Sequence, residues 1–210
     1  MAEPVYIFSS GAFGEAVARY LEALRGDVVP MPASIDSAPD EWPLARISVV
    51  AAWRPEHALC ETLDRLSHAR GRPFIPLVAD SRTLRLGPIV VPGGGSCWNC
   101  WRQRSRQHAS WLDRRAAVWK HYDGSPEAGP RGYFAPFAML GAVRISQTIE
   151  ELDAQAPIGG RLWEIDMITR QIAASTVVGV HNCPRCGLHR PAEDRGFAEL
   201  RQALQGMWSS

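Results

Sequence analysis

Two C-x-x-C pairs, Cys97-Trp98-Asn99-Cys100 and Cys183-Pro184-Arg185-Cys186, carry the strongest chemical signal in the sequence. Two residues between cysteines let both thiolates of a knuckle reach one ion, and two knuckles complete a tetrahedral shell of four sulfurs. Such a shell leaves no position for water or substrate, so the implied zinc is structural. It would tie together the two ends of the long segment between the knuckles, and zinc held this way binds small peptides by about 10–16 kcal/mol. His181 and His189 flank the second knuckle and are alternative ligands. A redox C-x-x-C or four unpaired thiols is the competing reading. Cys60 falls on the inward face of a predicted helix, where core packing accounts for it.

A second signal is Ser9-Ser10-Gly11-Ala12-Phe13-Gly14. It follows an apolar strand and opens a helix, which is where backbone N–H groups can receive a phosphate. Gly11 and Gly14 are therefore the candidate nucleotide residues. They supply half of the dinucleotide fingerprint. The second strand ends at Val29-Pro30 without a carboxylate for a ribose, and the nearest is Asp36. A tight strand-to-helix turn that needs glycine explains the same residues.

A third constellation is basic and aromatic. Arg102, Arg104, Arg106, Arg114 and Arg115 interleave with Trp98, Trp101, Trp111 and Trp119. Arg and Trp at this density suit a partner interface, a packed helix face, or stacking on single-stranded nucleic acid. Glu150, Glu151 and Asp153 read as a solvated helix end. No Ser-His-Asp or Cys-His pairing can be argued from spacing, so no catalytic residue is assigned.

The elements that must position these groups begin with an alternation of strand and helix. Val5–Phe8 is a short buried strand. Phe13, Val17, Tyr20, Leu21 and Leu24 share one helical face. Val28-Val29 is a second strand, and proline-rich 30–43 is a surface loop. Ile47–Ala52 is a third strand, a helix opening near Pro55 carries Leu59, Thr62, Leu63 and Leu66, and Phe74–Val78 is a fourth strand. This order implies an α/β, Rossmann-like sheet, mainly parallel with flanking helices. Beyond it, Arg85–Val91 reads as a strand, 98–122 as a helix, and 123–132 as a mobile loop rich in Pro and Gly. Phe137, Gly141, Ile145, Thr148 and Leu152 mark a long helix in which Gly141 would admit another backbone. Leu162–Ile168 and Gln171–Val178 form a hairpin, and Ala192–Met207 a last helix.

The chain has 210 residues and is 46% hydrophobic, enough for one domain with a real core. It divides into a Rossmann-like half over 1–92, a metal-clamped half over 93–190 and a C-terminal helix over 191–210. Lys plus Arg is 23 against Asp plus Glu 22, so general attraction to nucleic acid or anionic lipid is not expected. No apolar run spans a membrane and no signal peptide is evident, which makes the cytoplasm the default compartment.

Taken together, the glycine loop, the Ile47–Ala52 strand, Leu86-Gly87-Pro88-Ile89-Val90-Val91-Pro92-Gly93-Gly94-Gly95-Ser96-Cys97 and His181-Asn182-Cys183-Pro184-Arg185-Cys186-Gly187 resemble the E1-like (ThiF/MoeB) superfamily. The Gly-Pro…Pro-Gly run before the first knuckle is closer to the E1-like partners of YcaO cyclodehydratases, which help make thiazole- and oxazole-modified ribosomal peptides. The resemblance implies an E1-like fold with a four-cysteine zinc, a YcaO-type partner, a precursor peptide and a homodimer. Active members carry an acid after the strand corresponding to Ile47–Ala52. Here the chain reads Ala51-Ala52-Trp53-Arg54-Pro55-Glu56-His57, so ATP use and adenylation are not expected. A winged-helix leader-binding module ahead of the first strand is likewise not expected. The implied role is a non-catalytic scaffold. The rival is an ATP-dependent adenylating enzyme acting on a peptide or carrier-protein C-terminus.

Overall fold

The computed structural model describes residues 3–32, 42, 44–107, 112–125, 128–129 and 132–187. In order the elements are β1 (Val5–Ser10), α1 (Gly11–Leu24), β2 (Val28–Pro32), β3 (Ile47–Ala52), α2 (His57–Arg70), β4 (Phe74–Asp80), β5 (Thr83–Leu86), α3 (Trp98–Gln107), α4 (Leu112–Gly124), α5 (Ala135–Asp153), β6 (Arg161–Asp166) and β7 (Ile172–Thr176). One sheet runs β2-β1-β3-β4-β5-β6-β7. β2, β1, β3 and β4 are mutually parallel, and β5, β6 and β7 extend the sheet antiparallel.

The parallel strands are apolar on both faces because helices cover both. Ile7, Val49, Ala51, Ile75 and Leu77 face one core, shared with Phe13, Val17 and Leu21 of α1 and Ile145 and Ile149 of α5. Phe8, Val50, Ala52, Phe74 and Val78 face the other, shared with Leu59, Leu63 and Leu66 of α2 and all four knuckle cysteines. Sequence alternation at period two thus separates a helix-packed face from a metal-clamp face.

α1 lies close against β3. A Cβ on Gly14 would stand 2.2 Å from the Ala51 carbonyl oxygen, so this glycine is fixed by packing. Leu24, expected on the buried face, is 53% exposed where α1 runs past the sheet. α5 crosses β4 at Gly141, but the neighbour there is the Leu77 side chain rather than another backbone.

Several boundaries differ from expectation. The strand read over Arg85–Val91 ends at Leu86, and Val90 keeps a single bridge to Phe74. Gly87-Pro88 separates the two pieces, with Gly87 at positive φ beneath the Arg161 carbonyl. Of the helix read over 98–122, the described residues form α3 and α4, and 108–111 lie outside the described residues. β2 continues through Pro32, beyond Val28-Val29. Residues 33–41, Trp111, His189 and the helix predicted at Ala192–Met207 lie outside the described residues.

Candidate functional site

The first knuckle reaches its position through a close backbone crossing. A Cβ on Gly159 would overlap the Gly94 carbonyl, and one on Gly95 would meet Gly159 at 2.7 Å. Only glycines allow this approach. Ser96 Oγ then donates to the Val177 carbonyl across 2.7 Å, joining the segment before Cys97 to the end of β7. Cys97 precedes α3, Cys100 sits in its first turn, and Cys183 and Cys186 occupy the turns after β7.

All four thiols are buried. Sγ of Cys97 lies 3.8 Å from Cys100 and 3.7 Å from Cys183, and Cys100 lies 3.4 Å from Cys186. A zinc–sulfur bond of about 2.3 Å in tetrahedral geometry sets an S···S edge of about 3.8 Å. The four sulfurs, all within 4.8 Å of one another, therefore fit a zinc-sized tetrahedral ion. Hydrogen bonds from the Cys186 and Cys97 thiols, and from the Val180 N–H, hold the Cys100 thiol below its ordinary range. The Cys97 thiol, which donates to Cys100, is held above its ordinary range by the same contact. His181 is exposed and outside this set. Asp64, His68 and Cys97 form a second close group, but it shares Cys97 with the first.

The clamp is buttressed by α2. The fully buried Asp64 accepts the Trp98 N–H at 3.2 Å, capping α3, and Arg185 Nη1 of the second knuckle lies 3.4 Å from its other oxygen. Burial pushes the Asp64 carboxyl up to about 7, opposed by Arg185 and the Trp98 N–H. Arg185 also pairs with Glu61 at 2.7 Å. Cys60 is fully buried in the same core, and burial pushes its thiol up.

The glycine loop lies at the carboxyl ends of β1 and β3. The chain leaves β1 toward β2 on one side, while β3 lies on the other. In open α/β sheets such a switch point opens the crevice that takes ligands. Here the chain's own residues fill it. Gly11 has φ +66°, and a Cβ on it would stand 2.5 Å from the Trp53 ring. Ser10 makes no side-chain cap to α1. Its hydroxyl donates to Glu56 Oε1 over 2.8 Å, and Arg54 Nε donates to the same oxygen over 2.8 Å.

Arg54 is 3% exposed. Its guanidinium donates to the carbonyls of Tyr122 and Ser125 at 2.9 Å each, and to that of Ala128. It also lies 4.8 Å from the Tyr122 ring centroid. Gly129 closes against both Arg54 and Trp53. Asp123 Oδ1 meets the Ala58 N–H of the first turn of α2 at 3.4 Å, and burial raises its carboxyl. The described part of 123–132, expected to be mobile, is thus tied across the switch point. Sequence reading treated Trp53, Arg54 and Glu56 only as a departure from an acidic motif. The available signal was their place just after β3, beside the loop that follows β1.

No protein-family profile and no curated protein sequence matches the chain. Solved structures match its fold. The heterocyclase TruD superposes with a TM-score of 0.63 at 19% identity, over 88% of this chain and 27% of that one. A heterocyclase in complex with substrate and cofactor gives 0.61 at 16%, over 88% and 25%. E. coli MccB with ATP gives 0.62 at 16%, over 88% and 66%.

The mixed α/β fold, with its seven-stranded and mainly parallel sheet, is shared with these heterocyclase and MccB structures. The chain spans about a quarter of the two heterocyclase chains and about two thirds of MccB.

In the basic, Trp-rich segment Trp98, Trp101 and Trp119 turn inward, while Arg106, Arg114, Val118 and Lys120 are exposed. Trp98 and Trp101 lie 4.5 Å apart, His57 lies 4.1 Å from Trp119, and the buried Arg85 guanidinium sits 3.9 Å over Trp101. Arg102 pairs with Glu61, and Arg104 donates to the carbonyls of Val178 and Gly179. These contacts pack α3 against the clamp, while most described residues of α4 are exposed. Beyond Trp53 an apolar groove of about 270 Å³ opens, lined by Phe13, Tyr133, Phe134, Phe137, Met167 and Ile168 among others. Phe134 is 74% and Ile168 71% exposed at its rim.

Proposed function

We propose that this chain is a non-catalytic, E1-like accessory subunit of a ribosomal-peptide-modifying complex that forms azoles. Its partner is a YcaO-type cyclodehydratase, its cargo a precursor peptide, and its four cysteines hold a structural zinc. The observation that carries this reading is the filled crevice. Trp53 covers Gly11, Glu56 engages Ser10, and Arg54 ties down the Tyr122–Gly129 stretch where a nucleotide would have to enter. Adenylyl transfer depends on fixed groups around the phosphates, and the acid expected after Ala52 is replaced by Trp53. Fold likeness to the heterocyclase TruD supports the kind of complex. The apolar groove beside the crevice offers a surface for a peptide.

Zinc, in this reading, supplies no chemistry. It closes the segment between Cys100 and Cys183 and keeps α3 on α2. The protein acts in the cytoplasm and self-associates. Reconstitution with a YcaO-type cyclodehydratase and its precursor tests the proposal. Heterocycle yield should rise on adding the chain, and the two proteins should co-elute. No association and unchanged yield would overturn it.

The second reading is an adenylating enzyme. It is favoured by Gly11 at positive φ opening α1 and by the likeness to MccB crystallised with ATP. It would require the Tyr122–Gly129 stretch and Trp53 to leave the crevice. Carboxylate-dependent exchange of labelled pyrophosphate into ATP separates the two readings.

A further inference from the structure

Cys97 belongs to two groups of ligand atoms. One is the clamp. The other joins its sulfur to the Asp64 carboxylate and the His68 imidazole, with one atom from each within 4.8 Å of the others. Asp64 and His68 stand one turn apart on α2, which brings Oδ1 and Nε2 to 3.9 Å.

Helix capping and the clamp account for part of this group. Asp64 Oδ1 accepts the Trp98 N–H at the start of α3. Its Oδ2 belongs to a side chain with no exposed surface, is without a hydrogen-bond partner among the described residues, and faces the Arg185 guanidinium at 3.4 Å. Arg185 is more closely paired with Glu61, at 2.7 Å. The sulfurs differ too. Cys100 accepts the Val180 N–H and Cys183 the Asn99 amide. Among the described residues no N–H reaches the Cys97 sulfur, which has Asp64 and His68 beside it instead.

Charge points the same way. Four thiolates around one zinc leave two negative charges in excess, and the Asp64 carboxylate adds a third. Buried charge is costly unless it is paired, and Arg185 supplies a single positive charge. A second divalent cation beside Asp64 would balance the remainder.

We propose that Asp64, His68 and Cys97 form a second, weaker metal site, with the Cys97 sulfur bridging to the clamp zinc. A carboxylate oxygen, an imidazole nitrogen and a thiolate suit a borderline ion such as zinc or cobalt. Bonds of about 2.0–2.3 Å set tetrahedral edges of about 3.3–3.8 Å, so the Asp64–His68 pair closes only slightly on binding. A site needs an entry path, and His68, with its side chain 10% exposed, supplies it. The site fills when metal exceeds one ion per chain. It rests on the proposed zinc clamp and adds a position beside it.

Cobalt(II) titration of the full chain, already loaded with zinc, tests this. Zinc keeps the four thiolates because cobalt binds such ligands less tightly, and elemental analysis before and after checks that it stays. The wild type should take up about one cobalt per chain with a sulfur-to-cobalt charge-transfer band. His68→Ala and His68→Gln should each weaken that uptake roughly tenfold or more, with zinc content unchanged. Cobalt bound without a sulfur band, or bound equally well by both variants, would be an adventitious ion only and would overturn the proposal. A zinc-loaded chain that takes up no cobalt would overturn it while leaving the clamp in place. A chain that never holds zinc would remove the clamp and this site together.

Discussion

Trp53 lies so close over Gly11 that a Cβ on that glycine would stand 2.5 Å from the indole. The residue that opens α1 and the residue that follows β3 thus occupy one small volume at the switch point of the sheet. Trp53→Ala removes a half-buried ring from the wall of that volume. It should destabilise the protein by about 1–3 kcal/mol, less than the loss of a fully buried aromatic. Nucleotide binding should not appear, because Arg54 still fastens the stretch beyond α4. Thermal melting and calorimetric titration with Mg-ATP check the two halves of this expectation.

Arg54 is the tie itself. Arg54→Ala leaves the Glu56 carboxylate and three carbonyls without the donor they share. Breaking a buried charged pair from one side costs about 3–5 kcal/mol. Amide exchange should rise most over 122–129. Arg54→Lys keeps the charge but loses the planar fork, so exchange there should be intermediate. A uniform rise across the chain would mean that Arg54 does not hold this stretch in particular.

Gly14 tests why the loop is glycine-rich. Its missing Cβ makes room for the Ala51 carbonyl at 2.2 Å. Gly14→Ala should force α1 away from β3 and cost about 1–3 kcal/mol, as overpacking does. If the glycine served nucleotide binding alone, the variant would melt like the wild type.

An acid-sensitive tie joins α1, β2, β3 and α5. Asp27 is paired with Arg25 at 3.0 Å and Arg46 at 2.6 Å, and Arg46 also pairs with Asp153. The hydrogen bond from Arg25, then its charge and Arg46, hold the Asp27 carboxyl below its ordinary 3.8. A depressed carboxylate contributes stability above the unfolded value, and that contribution fades as pH falls through the lower folded value. Denaturant midpoints should therefore drop below about pH 4, and Asp27→Asn should flatten that limb. The pair is partly exposed, so the effect at neutral pH should be about 1 kcal/mol or less. An acid limb identical in both proteins would assign the loss to other carboxylates.

Removing a clamp ligand acts on the other face. Cys183→Ser should lower bound zinc from about one per chain, the capacity of a single four-thiolate shell, to near none. It should also loosen α3 and the second knuckle, since α3 is held by Asp64, Arg185 and the knuckles together, while α5 and β6 stay in the opposite core. Elemental analysis beside exchange-resolved melting reads both. Wild-type melting with no metal in either protein would remove the zinc from the account.

The parallel core was legible in the sequence because its strands are uniformly apolar and its helices keep a 3.6-residue face. The cysteine site was legible because ligand spacing is local within each knuckle. The plug was not, because Arg54 meets carbonyls 68 to 74 residues away and nothing in its neighbours predicts that meeting. The early end of β5 at Leu86 was missed although Gly87-Pro88 marks it locally, because the apolar Ile89-Val90-Val91 run beyond it reads as more strand. By composition Trp98, Trp101 and Trp119 suited a partner interface, a packed helix face or nucleic-acid stacking alike. The buried Arg85 of β5 packs over Trp98 and Trp101, of which Trp98 is buried and Trp101 half-buried.

Nucleotide binding by the zinc-loaded chain tests the central claim most directly. Equilibrium binding of labelled ATP with Mg²⁺, with and without a precursor peptide, should show no saturable association, and pyrophosphate exchange should stay at background. Saturable ATP binding with carboxylate-dependent exchange would contradict a filled, non-catalytic crevice and restore the adenylating reading.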